Sequence, residues 1–127
     1  MQAEELIRRY QAGERDFRWV DLTEINLTGV SLPQINLSGA DLAGSKLAGA
    51  NLRGANLETA DLSMVDLTDA DLTGADLRGA YMRWVRLNGT RLEGANLTGA
   101  VVTESRLNLA RSLEGAILPN GRELPRL

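Results

Sequence analysis

Cysteine and histidine are both missing from the 127-residue chain, and aromatic residues make up only 4% of it. Without the first two there is no disulfide framework, thiol nucleophile, imidazole base or ordinary zinc site. A basic excess is missing too. The chain carries 14 Lys+Arg against 17 Asp+Glu, a net charge of −3, which argues against a general binder of nucleic acid or anionic membranes. No apolar run reaches five residues, so the sequence offers neither a bilayer span nor a signal-peptide h-region, and a cytoplasmic location is expected. The length fits one domain.

What the chain does contain is a repeat. Stepping by five from Phe17, taken as position i, gives Leu22, Leu27, Leu32 and so on to Leu97, Val102 and Leu107. Sixteen of these nineteen residues are Leu, and the others are Phe17, Met82 and Val102. Position i−2 holds small or β-branched residues, from Val20 and Ile25 to Ala100 and Ser105, with Arg15 as the exception. Ten of the thirteen glycines fall at i+2, and twelve of the nineteen i−1 residues are Asp or Asn. Four residue classes sorted into separate columns fix the period at five.

Neither a helix nor a continuous strand keeps residues five apart on one side. A helix rotates them by about 140°, and a strand alternates faces, so an odd period reverses them. The leucines stay together if i−2 to i is extended and the chain turns a corner through i+1 and i+2. Glycine at i+2 supplies the positive φ of a type II turn. Asp and Asn suit the outward i−1 position, where their short side chains hydrogen-bond nearby backbone. A chain that turns the same way every five residues coils on itself as a parallel β-helix, an all-β fold.

Stretches such as Ala50-Asn51-Leu52-Arg53-Gly54 and Ala75-Asp76-Leu77-Arg78-Gly79 resemble the A(D/N)LxG motif of pentapeptide-repeat proteins. The resemblance covers residues 15–109 and implies a right-handed quadrilateral β-helix with four repeats per coil. On that basis nineteen repeats make about 4.75 coils, stacked at about 4.8 Å into a rod of roughly 23 Å. Residues 2–12 form an amphipathic pattern with Leu6, Ile7 and Tyr10 on one side and Gly13 as terminator, so 1–14 is expected to cap the first coil. The run from Leu6 to Phe17 is similar to the lead-in of many cyanobacterial members. Register slips after Leu107, and Pro119 and Asn120-Gly121 signal turns, so 110–127 is expected to be a partial coil and tail. Related proteins dimerise through this end, which makes Val102 and Leu107 dimer candidates, with a monomer as the other possibility.

Stacking by twenty converts the sequence into a surface map. Residues 56–77 hold six acids and no base, whereas 78–127 hold four acids and eight bases. Glu58 is expected beside Arg78, Asp66 between Lys46 and Arg86, and Asp71 beside Arg91, as exposed pairs contributing about 0–1 kcal/mol each. Asp61, Asp66, Asp71 and Asp76 fall on four different faces and do not converge as a metal site requires. One acidic column, Asp21, Asp41 and Asp61, has no base until Tyr81 replaces the acid. It faintly resembles the acid-lined faces by which fluoroquinolone-resistance members imitate DNA and bind gyrase.

The second departure is Tyr81-Met82-Arg83-Trp84-Val85-Arg86. Here Tyr81, Arg83, Trp84 and Arg86 put large side chains outward, the composition of a protein-binding hot spot. The same residues also fit a self-contained stack, with Arg83 near an aromatic ring and Trp84 over Met64. A convex rod offers no cleft for catalysis, and no cofactor is implied. The expected function is a non-enzymatic scaffold for a protein partner. The alternatives are a DNA-mimic modulator of a topoisomerase such as gyrase, and a structural spacer.

Overall fold

The computed structural model describes residues 1–126. The repeats are joined by isolated parallel bridges, each linking an i−1 residue to the one twenty positions on. Four columns result: Asp16–Asn36–Asn56–Asp76–Asn96, Asp21–Asp41–Asp61–Tyr81–Val101, Asn26–Lys46–Asp66–Arg86 and Ser31–Asn51–Asp71–Arg91. Inside them the i residues from Phe17 to Leu97 are at most 2% exposed, and the i−2 alanines from Ala40 to Ala95 are equally buried.

The five-residue period follows from where the backbone donors go. In Asn36–Ala40, the Asn36 N–H reaches back to Arg15 O at 2.9 Å, and Leu37 and Gly39 reach forward to Asn56 O at 2.8 Å and Glu58 O at 2.9 Å. The Ala40 N–H closes the turn on Leu37 O at 3.0 Å. The remaining donor, Ser38 N–H, is accepted by the Asn36 side chain at 3.1 Å. Every donor is matched, as a backbone in this crowded stack requires. All twelve Asp and Asn residues of the i−1 column accept the N–H two residues on, at 2.9–3.2 Å.

Position i+2 has positive φ from Trp19 to Gly99, at non-glycine corners as well: Trp19, Glu24, Gln34, Thr59, Met64, Asp69 and Trp84 lie between 58° and 66°. At most of these corners the coil above provides glycine. A Cβ on Gly39 would overlap the Trp19 ring, and one on Gly44, Gly54 or Gly89 would meet the side chain of Glu24, Gln34 or Asp69. Met64 breaks the pattern, because the residue twenty on is Trp84.

Both ends carry helix. Helix α1, Ala3–Gln11, lays Leu6 fully buried on the core, with Ile7 and Tyr10 half-buried beside it. Gly13, at φ 101°, turns the chain out of it. The Arg9 guanidinium stands 5.0 Å from the Phe17 ring centre, and the Tyr10 hydroxyl donates to Pro33 O at 2.6 Å.

At the other end the expected nineteenth repeat, 105–109, takes a different form. Helix α2, Glu104–Leu107, occupies it, capped by the Thr103 hydroxyl, which accepts Arg106 N–H at 3.3 Å. A helical turn takes one more residue than the corner it replaces, so the next bridges, Arg91–Ser112 and Asn96–Ile117, span twenty-one. Thr103 O now accepts Leu107 N–H at 3.1 Å, and the Trp84 and Leu87 amides have no partner among the described residues. The tail folds back through Asn120–Gly121, pairing Ile117 with Glu123 antiparallel.

Ser45 is 1% exposed and its hydroxyl has no partner among the described residues, whereas the buried Thr90 hydroxyl donates to Leu67 O at 2.6 Å. Ser45→Ala, which installs the residue usual in that column, is expected to raise unfolding stability by about 1 kcal/mol in urea titrations. Gly49→Ala meets open space and is expected to cost only the left-handed strain of about 1–2 kcal/mol. Gly39→Ala is expected to cost more, and Trp19→Gly in that background to recover the excess. Equal costs at the two glycines would show that the Trp19 ring does not pack on the coil above.

Candidate protein-binding site

Tyr81 and Trp84 belong to one repeat, Ala80–Trp84, and point away from the core at 53% and 67% exposure. Val101 stacks on Tyr81 through a bridge, and Met64, 59% exposed, lies one coil below Trp84 in the corner column. Arg83 and Arg86 are also exposed and make no ion pair among the described residues. The four candidates therefore share one corner and its flanks.

Their internal contacts differ from those expected. It is Arg106, and not Arg83, that lies over the Trp84 ring, 5.4 Å from its centre, while its guanidinium donates to Val85 O at 2.8 Å. Both contacts tie α2 to the coil below and leave Arg83 facing solvent. Between coil and helix is a groove of about 310 Å³ lined by Met82, Arg83, Trp84, Val101, Val102, Thr103 and Arg106. Sequence reasoning missed its upper wall. The signal was Thr103 before Glu104, a helix-start pair where the repeat should have turned another corner.

The backbone at this corner is also under-satisfied. Tyr81 stands where Asp or Asn would cap the Arg83 N–H, and that amide, like those of Ala48, Asn88 and Glu93 after Lys46, Arg86 and Arg91, has no partner among the described residues; the Trp84 amide beside it is the donor lost to α2. Among the repeats below α2, one other, Val30–Gln34, lacks both the Asp/Asn and the glycine. There Pro33 occupies i+1 and has no N–H to cap. A third exposed aromatic, Trp19 at 74%, lies against Gly39.

The acidic column is built differently. Asp21, Asp41 and Asp61 stack as expected, but each accepts the N–H of its own turn, from Thr23, Ala43 and Ser63. The backbone N–H and hydroxyl of Thr23 hold Asp21 below the usual carboxylate range. Of the expected ion pairs, Glu58–Arg78 forms at 2.7 Å, and Asp66 lies between Lys46 and Arg86 in its column. Asp71 pairs with Arg53 at 3.0 Å, and Arg91 approaches Glu93 at 3.9 Å. A long arginine at i+1 reaches diagonally across the corner, which alignment by column does not anticipate. At the chain's other exposed end, Leu107 is only 4% exposed and is not available as a dimer contact, while Val102 is half-buried.

Turn-capping makes the charges stabilising. Hydrogen bonds from Arg18 lower Asp16, those from Thr68 lower Asp66, and those from Arg78 lower Asp76. At Asp71 burial alone would raise the value, but Thr73 and Arg53 together bring it below the usual range.

Five-residue repeats stacked through parallel bridges define a solenoid of the β-helix class. The family model for pentapeptide repeats matches in 8 copies, over residues 16–54, 35–74 and 75–111. The chain belongs to this family, whose members fold as right-handed β-helices and are in general structural or binding proteins. It is 40% identical to alr5209, a pentapeptide repeat protein from Nostoc Pcc 7120, with a TM-score of 0.78 over 86% of this chain and 93% of that one. Rfr23 from the cyanobacterium Cyanothece 51142 is 29% identical, with a TM-score of 0.62 over 91% and 90%. A pentapeptide repeat protein from the Arabidopsis thaliana thylakoid lumen is 32% identical, with a TM-score of 0.55 over 82% and 67%. No curated protein matches the sequence. No helix among the described residues is long and apolar enough to cross a membrane.

The depressed carboxylates fix the sign of the pH dependence. A group whose folded value lies below its unfolded value, near 3.8 here, stabilises the fold above that pH. Its contribution is lost as pH falls through the folded value. Urea midpoints are therefore expected to fall on acidification from neutral to about pH 2. Asp76→Asn, which keeps the turn acceptor, should flatten the curve. A rise in stability on acidification would mean that repulsion within the Asp21–Asp41–Asp61 column dominates.

Proposed function

We propose that this chain is a non-enzymatic, rigid scaffold for protein–protein interaction, with Tyr81, Arg83, Trp84 and Arg86 as its binding face. One observation carries this reading. Tyr81 and Trp84 occupy the two positions where the repeat's own residues favour the fold, and both side chains project into solvent. Tyr81 forfeits a turn hydrogen bond, and Trp84 holds left-handed backbone at a cost of about 1–2 kcal/mol. Trp19 bears similar strain, but its ring covers Gly39. Exposed aromatics beside unpaired arginines have the composition of a hot spot.

The four bridge columns support a quadrilateral cross-section, in a β-helix of about 4.75 coils with 1–14 as cap, 15–109 as body and 110–127 as closing tail. Within 15–109, α2 replaces the last corner. The convex surface offers no enclosed catalytic cleft, and a cytoplasmic location and a protein partner complete the proposal. The DNA-mimic reading has less support, because its column presents three carboxylates before Tyr81 and Val101 replace the acid.

The test is capture from a lysate of the source organism with wild-type bait and with Tyr81→Asn/Arg83→Thr/Trp84→Gly bait. These substitutions install residues the repeat itself uses, so melting by circular dichroism is expected at or above the wild-type temperature. A protein held by wild type and lost by the variant is the expected result. Equal capture would move the site, first to the acidic column and a supercoiling assay with gyrase. Capture by neither would favour the spacer.

A further inference from the structure

We propose that the groove between Trp84 and α2 receives an acidic segment of a protein partner. One large apolar side chain of that segment lies against Trp84 and Val101, and a neighbouring carboxylate meets the Trp84 amide and the Arg83 guanidinium. This deepens the scaffold reading and rests on it.

The argument begins with the opened ladder. One coil below, the equivalent donor is Met64 N–H, which reaches up to Arg83 O at 2.8 Å. Its counterpart on Trp84 would reach Thr103 O, but that bond is absent among the described residues, and Thr103 O is turned into α2, where it accepts Leu107 N–H. The stacking that aims this donor along the axis thus aims it at the gap which Trp84 and Thr103 line together. The Arg83 amide next to it is uncapped. The Trp84 donor and the Arg83 guanidinium, which makes no ion pair among the described residues, together form a receptor for a carboxylate.

Size and charge narrow the occupant. A volume of about 310 Å³ is at the lower limit for small-molecule pockets and suits a single side chain. Met82, Trp84, Val101 and Val102 supply its apolar lining, and no acid lines it. Glu104 faces a separate groove near the tail. From residue 78 onward the chain carries eight bases and four acids. A nucleic-acid strand fits less well, since the coil beneath, residues 56–77, carries six acids and no base, with Asp61 directly under Tyr81. A polyphosphate running along the rod would meet that coil, whereas a short peptide crossing the corner would not.

The test uses the full chain and a displayed library of random peptides, followed by synthetic copies of the selected peptides. The expected peptides carry Phe, Trp or Leu flanked by Asp or Glu. Their binding should shift the Trp84 indole and the Arg83 and Trp84 amide resonances in ¹H–¹⁵N spectra. Replacing their acids by Asn and Gln, or substituting Arg83→Glu in the protein, should weaken binding about tenfold or more. Trp84→Gly, which suits the backbone at that corner, should do the same without lowering the melting temperature. Selection of neutral or basic peptides, no selection at all, shifts elsewhere, or tighter binding of an oligothymidylate would each overturn the proposal. If lysate capture still depends on Tyr81 and Trp84 in those cases, the scaffold reading stands and only the acidic-segment assignment fails.

Discussion

The allocation of five backbone N–H groups per repeat is the constraint on which this structure depends. Four are consumed by stacking and by the turn: one reaches back a coil, two reach forward and one closes the corner. The fifth, at i+1, has no backbone acceptor within reach; an i−1 Asp or Asn provides one in twelve repeats, and two residues after Lys46, Tyr81, Arg86 and Arg91 the amide has no partner among the described residues. That need explains why Asp and Asn interchange freely in a column that faces water. Either oxygen serves as acceptor; the charge of Asp strengthens the bond without being required for it. The chain's acidity is therefore in large part turn chemistry, and the stacked carboxylates of Asp21, Asp41 and Asp61 coexist because each is held by its own turn.

A second constraint acts at the corners. Left-handed backbone at i+2 aims any side chain there over the corner of the next coil, so a bulky residue calls for glycine twenty positions later. Trp19 with Gly39 and Gln34 with Gly54 satisfy this pairing. Met64 and Trp84 do not, and directly above Trp84 helix α2 takes the place of a corner before the chain turns one again at Gly115. Because α2 replaces the corner that would have stacked there, Trp84 is covered on one side only, by the Arg106 guanidinium. The local failure of the repeat, the helical insertion and the groove are parts of one structural event.

How much of this was legible in the sequence depended on range. The period, the buried leucines, the stacking by twenty and the Glu58–Arg78 pair come from local turn chemistry multiplied along the chain, and a regular pattern exposes them. Features that arise between coils at an irregularity were not visible. Arg106 falls in the i−1 column, so counting by fives placed it outward on a nineteenth repeat, whereas in the structure it bends over Trp84. Arg53 reached Asp71 in place of Arg91 for a related reason, since columns record the direction of a side chain and not its length. The aromatic corner was legible as a departure, but the unpaired donors beside it required the backbone.

A solenoid with its axial donors matched presents a surface that is regular and largely closed to backbone recognition. A partner can read only its side chains, and most of those are short turn-formers already engaged with their own coil. Specific recognition is favoured where the repeat is broken, because a break frees backbone donors, opens a groove and removes the need for small residues. In this chain the break lies at Ala80–Trp84 and α2, where side chains that cost the fold stability face outward beside amides that the ladder no longer uses. The regular coils below then have a distinct role: their cross-linked stack holds that one irregular corner in fixed geometry, so little ordering entropy is lost when a partner docks.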